Sequence, residues 1–301
     1  MVDALDSKSS EATHEGSSPS FGTKEFMNKP KIIVVCGPTA TGKTSYAIKL
    51  AKEKNGEVIS ADSRQVYKGI NLLSGKVTKK EMNSIPHYLL DVSSPKKQFS
   101  VADFQKLGKE KIEEIISRGK IPIICGGTGL YIDVLVYDTV LPDVKPNKEL
   151  RAKLMRKSSV ELFRILSKLD PNRAKTIDAQ NPVRLIRAIE IAKELGRVPK
   201  INKKSNYDVE WIYLDFPDDI LKERINTRLL ERIKQGMLRE SKKLHKSGVS
   251  YKRMSELGLE CRTCAKFLQN KITKKELISE LNNDIWHYVK KQRTWFKKFA
   301  K

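Results

Sequence analysis

Eight consecutive residues, Gly37-Pro38-Thr39-Ala40-Thr41-Gly42-Lys43-Thr44, fit the pattern G-x-x-x-x-G-K-[ST] of a phosphate-holding loop. Each residue type has a physical task. Glycines let backbone N–H groups approach phosphate oxygens, and the helix N-terminus that follows adds positive potential. Lys43 supplies a mobile positive charge, and the Thr44 hydroxyl can hold Mg²⁺. The loop follows an apolar run and precedes a helical one, the context that gives such a match its weight. A di- or triphosphate is expected to bind here.

The loop alone does not say what becomes of that phosphate. A nucleotide hydrolase or kinase also needs a strand ending in an acidic Mg²⁺ partner, plus a water-positioning residue or an acceptor site. The apolar run Ile121–Cys125 instead enters Gly126-Gly127-Thr128-Gly129, with no carboxylate. The acid well placed at a strand end is Asp62, just after the run EVIS (57–60). Strand C-termini line the ligand crevice of a doubly wound sheet. Asp62 should therefore face the loop as a metal partner or a general base. Its structural alternative is an aspartate capping the turn into Ser63–Tyr67.

Regular elements must hold these groups together. Lys31–Cys36 (KIIVVC), Glu57–Ser60 (EVIS) and Lys120–Cys125 (KIPIIC) read as buried strands, with helices over Thr44–Lys54 and Ala102–Arg118. Strands alternating with helices imply a parallel sheet covered on both faces. The fold class is therefore α/β, a P-loop NTPase-like parallel sheet flanked by helices. The texture changes after Pro142. Between Asp143 and Ser205 only basic amphipathic helices are read, over Lys148–Arg156, Ser159–Leu169 and Pro182–Leu195. This is an all-helical insert, bounded by Pro142/Pro146 and by the polar loop Lys200–Asn206. Trp211–Phe216 (WIYLDF) resumes the sheet, and basic helices follow from Asp218. The expected division is a disordered tail 1–30, a first core part 31–141, the insert 142–206 and a second core part 207–301.

The 301 residues carry 59 Lys+Arg against 36 Asp+Glu, a formal net charge of +23. Such an excess implies a polyanionic partner, nucleic acid before an acidic membrane surface, with a lysine-rich solvated surface as the plain alternative. No stretch approaches the roughly 20 apolar residues that span a bilayer, and the first thirty residues have no apolar signal core. A cytosolic protein without membrane attachment is expected, with a monomer as the default state. Cys36 and Cys125 sit in apolar runs as small buried hydrophobes. Cys261 and Cys264 form a single CxxC that would need His245 and His287 to complete a zinc site. Two positions on one helix is the simpler reading.

With these residues in hand, the chain resembles the tRNA dimethylallyltransferase (tRNA isopentenyltransferase) family, bacterial type. The matching segments are GPTATGKT (37–44), ISADSRQVYKG (59–69), PHYLLD (86–91), FSVADF (99–104), GGTGLY (126–131), RLIRAIE (184–190) and QRTWF (292–296), in the family's order. The resemblance implies that residues 37–44 hold the diphosphate of dimethylallyl diphosphate and stabilise charge on it as it leaves. It implies that Arg224 and Arg228 clamp the same phosphates, with Mg²⁺ completing the neutralisation. Asp62 matches the family's catalytic aspartate, which accepts a proton from an adenine N6 amine as the C–N bond forms. Thr128 matches a threonine near the reacting centre that also touches the nucleotide. Asp62-Ser63-Arg64-Gln65 corresponds to the segment around a flipped base. Arg151, Arg184 and Arg187 match positions that touch tRNA. The implied product is N6-isopentenyladenosine beside the anticodon. Trp295, Phe296 and Phe299 could stack on RNA bases or belong to the core of a terminal helix.

Three departures from the family pattern are visible: Asn181 for an aspartate, Ser74-Gly75 for Thr-Ala, and Lys291 for an arginine. The last is not conservative where bidentate binding matters. Two other activities compete. An adenylate isopentenyltransferase acting on AMP, ADP or ATP shares the fold, but leaves the large basic insert without a purpose. A nucleotide kinase requires ATP turnover, and the missing acidic strand end argues against it.

Overall fold

The computed structural model describes residues 29–137, 139–199 and 204–299. The tail expected over 1–30 thus lies outside the described residues up to residue 28, as do residues 200–203 of the loop closing the insert. In chain order the elements are β1 (Lys31–Cys36), α1 (Lys43–Glu53), β2 (Gly56–Ser60), α2 (Lys79–Met82), β3 (His87–Tyr88), α3 (Val101–Ser117), β4 (Ile121–Gly126) and α4 (Gly129–Val136). They continue with α5 (Lys148–Leu154), α6 (Ser159–Leu169), α7 (Pro171–Ala174), α8 (Pro182–Leu195) and β5 (Asp208–Tyr213). Five helices follow: α9 (Asp218–Gln235), α10 (Met237–Lys246), α11 (Tyr251–Leu257), α12 (Leu259–Leu268) and α13 (Lys274–Phe296).

The strands form one parallel sheet in the order β3-β2-β4-β1-β5. β1 and β4 are continuous apolar runs because central parallel strands are covered on both faces. Their pairing places Cys36 opposite Gly126, so the two glycine-bearing loops leave the sheet side by side. Ser60 of β2 pairs with Cys125, which brings Asp62 to the same edge. The last strand differs from the sequence reading. It runs over Asp208–Tyr213, three residues earlier than Trp211–Phe216, because β5 is an edge strand whose first residues are polar. Lys31 and Glu210, paired across it at 2.8 Å, are both exposed.

One face of the sheet carries the main core. Phe104 and Ile112 of α3, Tyr131 of α4, and Leu277, Leu281, Val289 and Phe296 of α13 share it. The other face packs Ile33, Val35, Val58 and Ile123 against Ala47 and Leu50 of α1. The segment between β4 and β5 has an apolar cluster of its own, built from Leu154, Leu162, Leu166, Leu185 and Ile189. Its helices start on strong signals. Ser158 and Glu161 form a capping box, and Asn181 caps α8 ahead of Pro182, devices worth about 1 kcal/mol each. Among the described residues no helix is long and apolar enough to cross a membrane.

Candidate active site

At the end of β1 the backbone turns sharply. Ala40 (φ 65°) and Gly42 (φ 79°) adopt left-handed conformations, which aim successive amides inward ahead of the α1 N-terminus. Such a nest attracts anions. Lys43 folds back onto the Pro38 carbonyl, with its Nζ 3.5 Å from Thr41 Oγ1. Burial in the cradle pushes its ammonium down to about 8; Asp62 opposes the shift and Arg228 adds to it. An anion in the cradle favours the charged form.

The strand-end loops are laced to each other. Thr128 N donates to Ala61 O at 3.1 Å, and Ser63 N donates to Thr128 Oγ1 at 3.1 Å. Asp62 Oδ1 accepts from Arg64 N at 2.8 Å, the turn bond of its structural reading. Among the described residues no donor reaches its second oxygen, which remains available to a ligand. Gln65 takes its place through Ser60 Oγ at 3.1 Å and the Gly75 carbonyl at 3.4 Å. Arg228 Nη2 donates to the same Gly75 carbonyl at 2.9 Å.

These groups surround one cleft of about 1100 Å³, lined by Lys43, Thr44, Asp62, Gln65, Arg224 and Arg228 among others. The glycine-rich loop, the strand-end aspartate and the α9 arginines thus share one cleft. Arg224 also rests on the Phe216 ring, its guanidinium carbon 4.0 Å from the ring centre. The loop 71–75 that lines the same cleft is pinned by two residues the sequence reading did not single out. Arg232 donates to the Leu72 and Leu73 carbonyls, and Glu240 accepts from the Leu72 and Leu73 amides at 3.0 and 2.9 Å. Arg232 also pairs with Glu260 at 2.9 Å.

The other candidates lie elsewhere. Arg151 of α5 and Arg184 and Arg187 of α8 sit in the helical segment and do not line the cleft. Arg64 does not line the cleft either; its guanidinium donates to the Glu256 carbonyl at 3.3 Å. The three aromatic residues expected as possible RNA-stacking groups pack against the protein instead. Phe296 is in the core, Phe299 stacks on Trp211 at 3.8 Å, and Trp295 packs against Gly129. Cys261 and Cys264 are both buried on α12, where burial pushes the Cys264 thiol up to about 12. His245 stacks on Tyr251, and among the described residues no three His, Cys, Asp or Glu side chains cluster to hold a metal ion.

Fold and cleft together define the class: an α/β protein with a P-loop-like parallel sheet whose glycine-rich loop shares a cleft with a strand-end carboxylate, and with no acidic end to β4. Within that class, the family model described as IPP transferase matches residues 65–299, and the chain belongs to that family. It is 44% identical over 282 residues to tRNA dimethylallyltransferase 2 of Treponema denticola, covering 92% of this chain and 94% of that one. Among solved structures, the full-length tRNA isopentenylpyrophosphate transferase of Bacillus halodurans matches with a TM-score of 0.68 at 37% identity, covering 91% of this chain and 88% of that one. A eukaryotic dimethylallyltransferase acting on tRNA matches with a TM-score of 0.72 at 27% identity, covering 89% of this chain and 70% of that one.

Proposed function

We propose that this protein transfers the dimethylallyl group from dimethylallyl diphosphate to the N6 amine of a tRNA adenosine beside the anticodon. The observation that carries the reading is the shared cleft, which Lys43 and Thr44 of the loop, Asp62, Arg224 and Arg228 all line. The free amides of the loop 37–44, where Pro38 has none and Thr39 gives its own to Gln292, would hold the diphosphate with Lys43 and stabilise the charge it gains as the allylic C–O bond breaks. Arg224 and Arg228 would bind the same phosphates. The adenine amine is a weak nucleophile because its lone pair is delocalised into the ring. The unpaired oxygen of Asp62 would take its proton as the new C–N bond forms. Thr128, tied to Ser63, would orient the reacting nucleotide.

Thr44 at the start of α1 suits Mg²⁺, an ion that keeps several waters and is bound through few protein ligands plus substrate phosphates. Bound there beside the diphosphate, it would add further neutralisation of the leaving group. A stacked adenine cannot reach Asp62, so the base would be extruded into the cleft past Ser63, Arg64 and Gln65. Arg151, Arg184 and Arg187 would meet the RNA from the helical segment. The net charge of +23 supports an RNA partner.

The test is direct. Purified protein is incubated with labelled dimethylallyl diphosphate and Mg²⁺, with either unmodified tRNA or AMP as acceptor. Label is expected in RNA and not in nucleotide; label in AMP alone, or in neither, would sink the reading.

A further inference from the structure

Two segments have no task in the chemistry above: GGTGLY beyond Thr128, and QRTWF near the end of α13. The structure brings them together. Tyr288, Gln292 and Trp295 lie at i, i+4 and i+7 on α13, one face of that helix. All three meet the loop that carries Thr128. Gln292 is 5% exposed, and its two amide atoms serve two different loops. Its Oε1 accepts from Thr39 N of the phosphate loop at 2.9 Å, while its Nε2 donates to the Gly127 carbonyl at 3.0 Å. Tyr288 Oη donates to that carbonyl from 3.5 Å.

The fit leaves no slack. A Cβ on Gly127 would stand 2.2 Å from Gln292 Nε2, and one on Gly129 would stand 2.2 Å from the Trp295 ring. Thr128 is therefore held between two residues that press directly on α13. The amide tip of glutamine combines an acceptor and a donor. An ionised glutamate offers no donor to Gly127, and a lysine offers no acceptor to Thr39. We propose that Gln292 is a positioning residue for prenyl transfer: by bonding Thr39 N and Gly127 O at once, it fixes the diphosphate cradle relative to Thr128 and Asp62. The inference rests on the transfer activity proposed above. A shift of about 1 Å between such groups lowers turnover by about 10²-fold.

Two variants test it. Gln292→Leu removes both bonds with an apolar side chain of similar size. Gln292→Glu keeps the acceptor but turns a negative oxygen toward the Gly127 carbonyl; once protonated, its hydroxyl donates as the amide did. Burial raises the pKa of such a carboxyl. Turnover with dimethylallyl diphosphate and an anticodon stem-loop is measured from about pH 6 to 8.5, beside inorganic pyrophosphate affinity and thermal melting. For Gln292→Leu, kcat is expected to fall about 10²-fold while pyrophosphate affinity changes only a few-fold. For Gln292→Glu, the ratio of its kcat to the wild-type value is expected to rise toward acidic pH. A loss of general stability would lower the melting point without giving that rise. A flat ratio, or a Gln292→Leu kcat within about twofold of wild type, would overturn the role. Should Gln292→Leu fail to fold, the pH ratio of Gln292→Glu decides. An inactive wild type would overturn the transfer reading and this role with it, whereas an active wild type beside an equally active Gln292→Leu would overturn the role alone.

Discussion

The Glu190 carboxylate accepts Nε and Nη2 of Arg151, each at 2.7 Å, inside the helical segment. The same carboxylate takes the Asn147 amide at 2.9 Å and lies 3.4 Å from Arg187 Nη1. Arg151 is thus a strut between α5 and α8, with two of its guanidinium nitrogens committed to Glu190. Removing the acid leaves that cation without its partner. Glu190→Ala is expected to destabilise the segment by about 1–3 kcal/mol, since Arg151 and Arg187 keep partial access to water, read as faster hydrogen exchange in α5 and α8. Burial raises the Glu190 pKa, but Arg151 and the Asn147 amide outweigh it, so the folded value lies below the usual glutamate range. Its stabilisation is present above that range and is lost as pH falls through the depressed value.

Asp62→Ala should separate chemistry from binding. With one oxygen holding the Arg64 turn and the other facing the cleft, its loss is expected to cut kcat by about 10²–10⁴-fold. Pyrophosphate affinity, measured by calorimetry, should stay nearly unchanged. A large loss of affinity with normal turnover at saturation would count against the base role.

Lys43 gives a pH signature. Its ammonium titrates near 8 in the free protein because burial lowers it. A bound diphosphate favours the charged form and raises that value. Below about pH 8 the lysine is already charged and affinity is at its plateau; as pH rises above 8, binding requires proton uptake and weakens. Calorimetry in buffers of different ionisation enthalpy should detect uptake approaching one proton above pH 8, and Lys43→Ala should abolish it.

Arg184 and Arg187 test the proposed RNA surface. The Arg184 side chain is 56% exposed, with Asp178 no nearer than 3.9 Å. Replacing both by alanine is expected to weaken tRNA binding and to reduce the slope of log affinity against log salt by about 1.5, from roughly 0.7–0.9 per lost phosphate contact. Unchanged binding would remove α8 from the RNA platform.

Gly129→Ala tests the seat of α13. The added methyl meets the Trp295 indole and is expected to cost about 1–3 kcal/mol in chemical denaturation. The same substitution in a Trp295→Leu background should cost less, because the obstructing ring is gone.

Much of this molecule is legible in its residues, and the illegible parts have physical reasons. β1, its loop and α1 are read to within a residue, because a buried apolar run, glycines and a helix start are all local signals. Asp62 and Thr128 are readable as strand-end residues, since parallel sheets send C-termini to one edge. β5 is misplaced by three residues because an edge strand lacks the apolar signature that marked the others. β3 pairs through only two residues, too few for any periodicity. Arg232 and Glu240 escape notice, and Gln292 is read only as part of QRTWF and without its contacts, because their partners are 160, 168 and 253 residues away and no spacing in the chain marks such contacts.

The bond from Thr39 to Gln292 ties together stretches separated by nearly the whole sheet. Translation makes the cradle early and its keystone late, so a polypeptide halted before α13 would contain the nest, the aspartate and the threonine without the piece that locks them. Closing so long a circuit is among the slow steps of folding. Competence should therefore arise in one late event, and premature termination products should be silent rather than partly active.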